Sequence, residues 1–179
     1  MMKVLVLNGS ARKNGGTAAM AAAFTRGARE AGHEVDMLAI ARMDIHGCLG
    51  CEYCHTRGGG TCVQRDDMDA VYPLWDAADV IVVASPIYYG SFSGQMHCLV
   101  HRTYAGDKPK SCKAMAHLLC SGSKGVYEAA EKVYHGFMQG YYQVQDLGVF
   151  EATTGEALSD EMAERLEEFG RTLSQRVAR

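Results

Sequence analysis

The apolar positions of this chain fall into five short runs separated by segments of helical pattern. Lys3-Val-Leu-Val-Leu7 is β-branched and aliphatic, as expected of a strand covered on both faces. Asp79-Val-Ile-Val-Val-Ala84 is the strongest case of the same pattern, and His33–Ile40, Lys113–Cys120 and Gln143–Phe150 are further strands. An alanine-rich helix is predicted from Thr17 to Ala31, with Gly32 as its stop. Asp66-Asp67 opens a helix running to about Ala78, which Pro73 is expected to bend or interrupt. Helices are also predicted over Gln95–Tyr104 and Val126–Gln139. The last helix is well marked: Ser159 is its N-cap, Asp160 and Glu161 fill the first turn, and Met162, Leu166, Phe169, Leu173 and Val177 share one face.

Strands and helices thus alternate five times, which predicts an α/β protein with a parallel sheet covered on both faces through right-handed crossovers. The 179 residues carry no linker, repeat or low-complexity tract, so 1–179 reads as a single domain. Only residues 41–65 hold no period. They form a cysteine-rich insertion of a length that is commonly functional.

Composition narrows the function. Apolar residues make up 47% and charged residues 22%, an ordinary globular balance, and the formal charge is −3 with Lys and Arg scattered. No basic stripe is present to neutralise a phosphate backbone, so nucleic acid is not an expected partner. No apolar run approaches membrane-spanning length, and the Met1–Leu7 run is too short for a signal peptide. A cytoplasmic location is therefore expected. Seven cysteines, an odd number, cannot all pair, and four of them lie within fifteen positions of one another, which points to metal or redox chemistry.

In a parallel sheet, ligands bind at the carboxyl ends of the strands where the strand order switches. The loop Asn8 to Thr17 lies at that edge and opens directly into a helix, whose free N–H groups and dipole attract anions. Ser10 and Thr17 add hydroxyl donors, Arg12 adds a cationic fork, and Gly15 and Gly16 let the backbone wrap closely. Neither a Walker-type loop nor a dinucleotide fingerprint is present, which leaves a terminal monophosphate or a plain glycine-rich turn. Ser85–Gly94 and Ser121–Gly125 reach the same edge, and their Gly, Ser and Tyr content suits a flat ring with a phosphorylated tail. Tyr88, Tyr89 and Phe92 equally suit packing between subunits.

Three motifs in order, Asn8-Gly-Ser10 with Gly-Gly-Thr17, Ser85-Pro-Ile-Tyr-Tyr-Gly90 with Ser93-Gly-Gln-Met96, and Cys48-Leu-Gly-Cys-Glu-Tyr-Cys54 leading to Asp66-Asp67-Met68, resemble the NADPH-dependent FMN reductase and iron–sulfur flavoprotein group. The resemblance covers nearly the whole chain. It implies a flavodoxin-like three-layer sandwich with strand order 2-1-3-4-5, and FMN as cofactor. By position, Ser10, Arg12, Asn14 and Thr17 would hold the phosphate. Pro86, Ile87, Tyr88, Tyr89 and Gly90 would border the flavin, with Ser121 and Gly122 opposite. At His101 relatives commonly carry an acid. A homodimer or homotetramer is implied by the same resemblance.

Cys48, Cys51, Cys54 and Cys62 have the spacing of a compact loop whose three thiols converge with a fourth from further on, as a [4Fe-4S] cluster requires. Other readings stay open: zinc, which more often pairs two short hairpins of two cysteines, an empty structural loop, or a redox-active dithiol. Cys98, Cys112 and Cys120 read as packing residues.

The expected function is an FMN-dependent oxidoreductase moving electrons from NAD(P)H or a reduced carrier such as a ferredoxin to an acceptor, through the cluster if one is present. Alternatives are a non-enzymatic flavodoxin-like carrier, a cluster-free NAD(P)H:FMN or quinone reductase, and a zinc-stabilised interaction domain that has lost its flavin. The flavin carries the chemistry, so no catalytic acid, base or nucleophile is expected.

Overall fold

The computed structural model describes residues 1–178. Five strands, β1 (Lys3–Asn8), β2 (Glu34–Ala39), β3 (Val80–Pro86), β4 (Ala114–Ser121) and β5 (Gln145–Thr153), form one sheet in the order β2-β1-β3-β4-β5, every neighbouring pair parallel. The helices, in chain order, are α1 (Gly16–Glu30), α2 (Tyr53–Thr56), α3 (Met68–Ala77), α4 (Gly94–Arg102), α5 (Glu128–Val133), α6 (Gly140–Tyr142), α7 (Thr154–Ala157), α8 (Asp160–Arg171) and α9 (Leu173–Arg176). This is the doubly covered parallel sheet expected from the alternation of elements, in the flavodoxin-like strand order that the resemblance implies.

Alternating side chains of each strand feed two separate cores. Val4, Val6, Val82 and Leu118 pack under α1 and α8, whereas Leu5, Leu7, Ile81, Val83 and Leu119 pack under α3 and α4. That is why the central strands read as unbroken apolar runs: both faces are covered. The α1–α8 contact is close because position 27 has no side chain. A Cβ there would lie 1.9 Å from the Glu167 carbonyl oxygen. Phe24 and Phe169 meet across it with ring centroids 5.2 Å apart, and burying two such rings contributes roughly 3 to 6 kcal/mol. On the other face, His117 of β4 is wholly buried between Phe92 and Tyr134, with no partner for either ring nitrogen.

Four expectations need correction. Pro73 does not interrupt α3, which runs unbroken from Met68 to Ala77 with Pro73 on its exposed side. The helix expected over Val126–Gln139 starts at Glu128 and widens into a π-helical segment, Tyr134–Gln139. There the buried Tyr134 hydroxyl donates to the Met115 carbonyl and to Asp146, a tertiary demand that local propensity does not express. The last helix breaks at Thr172, where the Glu168 carbonyl accepts from both the Thr172 amide and its hydroxyl, and a separate short helix follows from Leu173. Finally, β5 runs later than expected, to Thr153. An irregularity opposite Met115 and His117, with Gly148 at φ 105°, disrupts the alternation that would have marked it.

Candidate functional site

At the carboxyl edge of the sheet the loops after β1, β3 and β4, together with the start of α7 after β5, enclose one cleft. Its walls are Ser10, Arg12, Gly15, Gly16, Thr17, Pro86, Ile87, Tyr88, Cys120, Ser121, Gly122 and Thr154. It spans the point between β1 and β3 where the strand order reverses, the position at which open α/β sheets bind ligands.

The β1 loop is held from within. The Ser10 amide donates to Asn8 Oδ1 at 3.0 Å, and the Ser10 hydroxyl both accepts from the Arg12 amide and donates to the Arg12 carbonyl. No side chain caps α1 at Gly15, so its first-turn donors are left for a ligand. Gly16 is required by close approach: a Cβ would lie 2.6 Å from Cys120 Sγ and 2.8 Å from the Ala157 Cβ. The helix N-terminus is thereby seated directly against the ends of β4 and α7. Among the described residues that line the cleft, Arg12 alone is charged. Burial pushes the Cys120 thiol up, and Thr154 and Thr17, hydrogen-bonded to it, pull it only part of the way back, so it stays a neutral thiol. The cleft therefore holds one cation, a helix N-terminus, hydroxyls and no anion. That is the electrostatics of a phosphate site.

The ring-sized part lies between the other two loops. The Ile87 amide donates to the Cys120 carbonyl at 2.8 Å and joins the β3 loop to β4. Tyr88 and Ser91 exchange backbone hydrogen bonds around a tight turn in which Tyr89 (φ 50°) and Gly90 (φ 75°) are left-handed. The fully buried Ser85 anchors its return, donating to the Pro86 carbonyl and accepting from the Ser93 amide at 3.0 Å. Opposite, the Ser121 hydroxyl closes a turn on Ser123, and Thr154 donates to the Ser121 carbonyl. Nearby, Lys124 and the Thr153 cap together hold Glu156 down to about 2.

Of the residues expected to hold FMN, the structure brings Ser10, Arg12, Thr17, Pro86, Ile87, Tyr88, Ser121 and Gly122 together. Asn14, Tyr89 and Gly90 are not on the cleft wall: Asn14 is exposed in the turn before α1, and Tyr89 projects fully into solvent. Sequence reasoning missed Cys120 and Thr154. Cys120 was expected only to pack. Thr154 follows Thr153, which with Glu156 forms a capping box, and that Thr-x-x-Glu pattern at a strand end was a readable signal.

The second constellation lies away from that cleft. Cys48, Cys51, Cys54 and Cys62 all line one small cavity, together with Glu52, His101 and Arg102. All seven cysteines are free. The Gly50 amide donates to Cys48 Sγ at 3.4 Å, the kind of N–H···S contact that thiolate sites use. Among the described residues no three His, Cys, Asp or Glu side chains draw together at metal-holding distances. By chemistry alone, the four cysteines that line the cavity are the donor set of a four-cysteine centre. The loop is tied down by a buried ion pair. Arg102 Nη1 and Nη2 reach the two oxygens of Asp66 at 2.5 and 3.1 Å, and both side chains are 1% exposed. Burial pushes the Asp66 carboxyl up, but Arg102 and the His46 and Met68 amides outweigh it and hold it below the usual carboxylate range. His101 also opens onto a neighbouring groove of 630 Å³ bordered by Tyr104, Tyr141 and Tyr142. No helix of the described residues is long and apolar enough to cross a membrane.

Fold and cleft together define a flavodoxin-like protein with a mononucleotide-type site at the strand switch. Residues 2–156 match the family described as NADPH-dependent FMN reductase, and the chain belongs to that family. It is 33% identical to an iron–sulfur flavoprotein of Methanocaldococcus jannaschii over 141 residues, covering 76% of this chain and 70% of that one. It is 37% identical to an iron–sulfur flavoprotein of Archaeoglobus fulgidus over 101 residues, 56% of this chain but only 45% of that one, so the chain matches less than half that relative's length. Among solved structures, an NAD(P)H:quinone oxidoreductase from Methanothermobacter marburgensis superposes with a TM-score of 0.75 at 18% identity, covering 96% of each chain. An FMN-dependent NADH-azoreductase from Bacillus anthracis, solved in complex with FMN, gives 0.66 at 12% identity over 97% of this chain and 99% of that one. At these identities the two structures bear on the fold alone.

Proposed function

We propose that this chain is an FMN-dependent oxidoreductase that takes electrons from NAD(P)H, or from a reduced carrier protein such as a ferredoxin, and delivers them to a small acceptor of the quinone or flavin class. The observation that carries this reading is the cleft: one cation, one uncapped helix N-terminus and several hydroxyls at one end, with two turn-braced loops at the other. Ser10, Arg12, Thr17 and the first turn of α1 would bind the phosphate. Pro86, Ile87 and Tyr88 would border one side of the ring, with Ser121 and Gly122 opposite, and Asn14, Tyr89 and Gly90 at the rim. FMN, when bound, supplies hydride and single-electron chemistry. The protein's share is binding and orientation, and the cleft contains no group poised as an acid or base: its one thiol, Cys120, is held neutral.

The cysteine loop, on this reading, holds a [4Fe-4S] cluster on Cys48, Cys51, Cys54 and Cys62. Four thiols on one cavity and iron–sulfur flavoproteins among the relatives support it. We further propose a cytoplasmic protein that works as a homodimer or homotetramer. The test of the enzyme reading is anaerobic steady-state oxidation of NADH and NADPH by the purified chain with menadione or free FMN as acceptor. Turnover without any added reductase is expected. Bound FMN with no oxidation of either nucleotide would leave a passive electron carrier instead.

A further inference from the structure

Arg102 does more than close a loop. Its guanidinium is almost fully buried, and three of its hydrogen bonds run away from the sulfur cavity, two to Asp66 and one to the His46 carbonyl at 3.1 Å. Its Nε–H has no partner at all. A buried guanidinium donor left unspent is costly and calls for an acceptor. Arg102 is on the wall of the cavity that the four cysteines share, whereas Asp66, which pairs it, is not. It is also the one Lys or Arg among the described residues lining that cavity. Glu52, the one carboxylate lining it, is occupied: both its oxygens lie within 3.2 Å of the Tyr104 hydroxyl. Arg102 therefore sets a buried cation on the cavity wall, with its counter-ion Asp66 off that wall.

We propose that Arg102 is a positioning residue for the cysteine centre: held from behind by Asp66, it sets its charge and its free Nε–H against the sulfur set and raises the reduction potential of the iron–sulfur group bound there. The inference rests on the cluster reading above. Physically, adding an electron to a four-thiolate cluster increases its negative charge, and a nearby buried cation with a hydrogen bond to sulfur favours that step.

Asp66→Asn and Arg102→Gln separate this role from a mechanical one. Asn keeps the shape and some hydrogen bonding but removes the charge that offsets Arg102, whereas Gln removes the cation itself. The experiment is anaerobic reconstitution of the full chain with ferrous iron and sulfide, iron and sulfide counted per chain, then a redox titration of the cluster followed by EPR. The expected result is opposite signs: a higher midpoint potential in Asp66→Asn and a lower one in Arg102→Gln, both with wild-type iron content. Arg102→Lys, which keeps the charge and loses the fork, should fall between wild type and Gln, and it serves if the Gln variant does not fold. A pure latch would give iron loss in both variants with no opposed shift, and unmoved potentials, or shifts of one sign, would overturn the proposal. A wild-type chain that takes up no iron would defeat the cluster reading itself, and this proposal with it.

Discussion

Replacing His117 with Leu should stabilise the protein, and by more at pH 5 than at pH 7. His117 is wholly buried in β4, with its ring 4.9 Å from Phe92 and 4.9 Å from Tyr134 and no partner for either nitrogen. Burial, with a smaller push from His135, lowers it from 6.5 to about 3. The unfolded chain takes up a proton below pH 6.5, and the folded chain does not until about pH 3, so this residue's contribution is intact above 6.5 and is lost as the pH falls. At 1.36 kcal/mol per pH unit the loss reaches about 2 kcal/mol at pH 5. At pH 7 the variant recovers part of the roughly 1 to 3 kcal/mol cost of two unsatisfied nitrogens and gives up about 1 kcal/mol of ring packing. A net gain of about 1 kcal/mol at pH 7 and about 3 kcal/mol at pH 5 is expected. Urea unfolding of both proteins at the two pH values measures it. His33 and His97, also lowered by burial, are common to both proteins and cancel in the difference. Parallel pH profiles for wild type and variant would refute the reasoning, because the difference between them isolates this one ring.

Arg12→Ala should weaken FMN binding about tenfold or more, the loss of one charge-assisted phosphate contact, and leave riboflavin binding unchanged; quenching of flavin fluorescence reads both. Gly16→Ala forces a Cβ to within 2.6 Å of Cys120 Sγ and should lower both the melting temperature and FMN affinity. Calorimetry with and without FMN separates the two effects. Tyr89→Asn places a residue tolerant of the left-handed region at φ 50° and should raise stability by up to about 1 kcal/mol in urea melts.

The sheet was legible because β1, β3 and β4 are covered on both faces and so read as continuous apolar runs, and α8 because Ser159 does cap it, accepting from the Met162 amide. That Ser10, Arg12 and Thr17 would share one cleft wall was legible because they sit on a single short loop opening into α1. The departures are tertiary. The π segment at Tyr134 answers to Met115 and Asp146, and the place of Thr154 on the cleft wall depends on β5 lying beside β4. Pro73 sits within a helix because its ring faces outward, a direction that spacing alone does not give. The spacing of the four cysteines did place them on one cavity, but the buried Arg102 behind them was invisible, since a lone Arg at a helix end reads as a solvated cation.

The central claim is that the cleft at the β1–β3 switch is a site for FMN. It is tested most directly by titrating the flavin-free chain with FMN and, in parallel, with riboflavin, following flavin fluorescence. Saturation at one FMN per chain, with riboflavin bound at least tenfold more weakly, is the predicted result. Equal affinity for the two would contradict the phosphate cradle, and no binding of FMN would contradict the account as a whole.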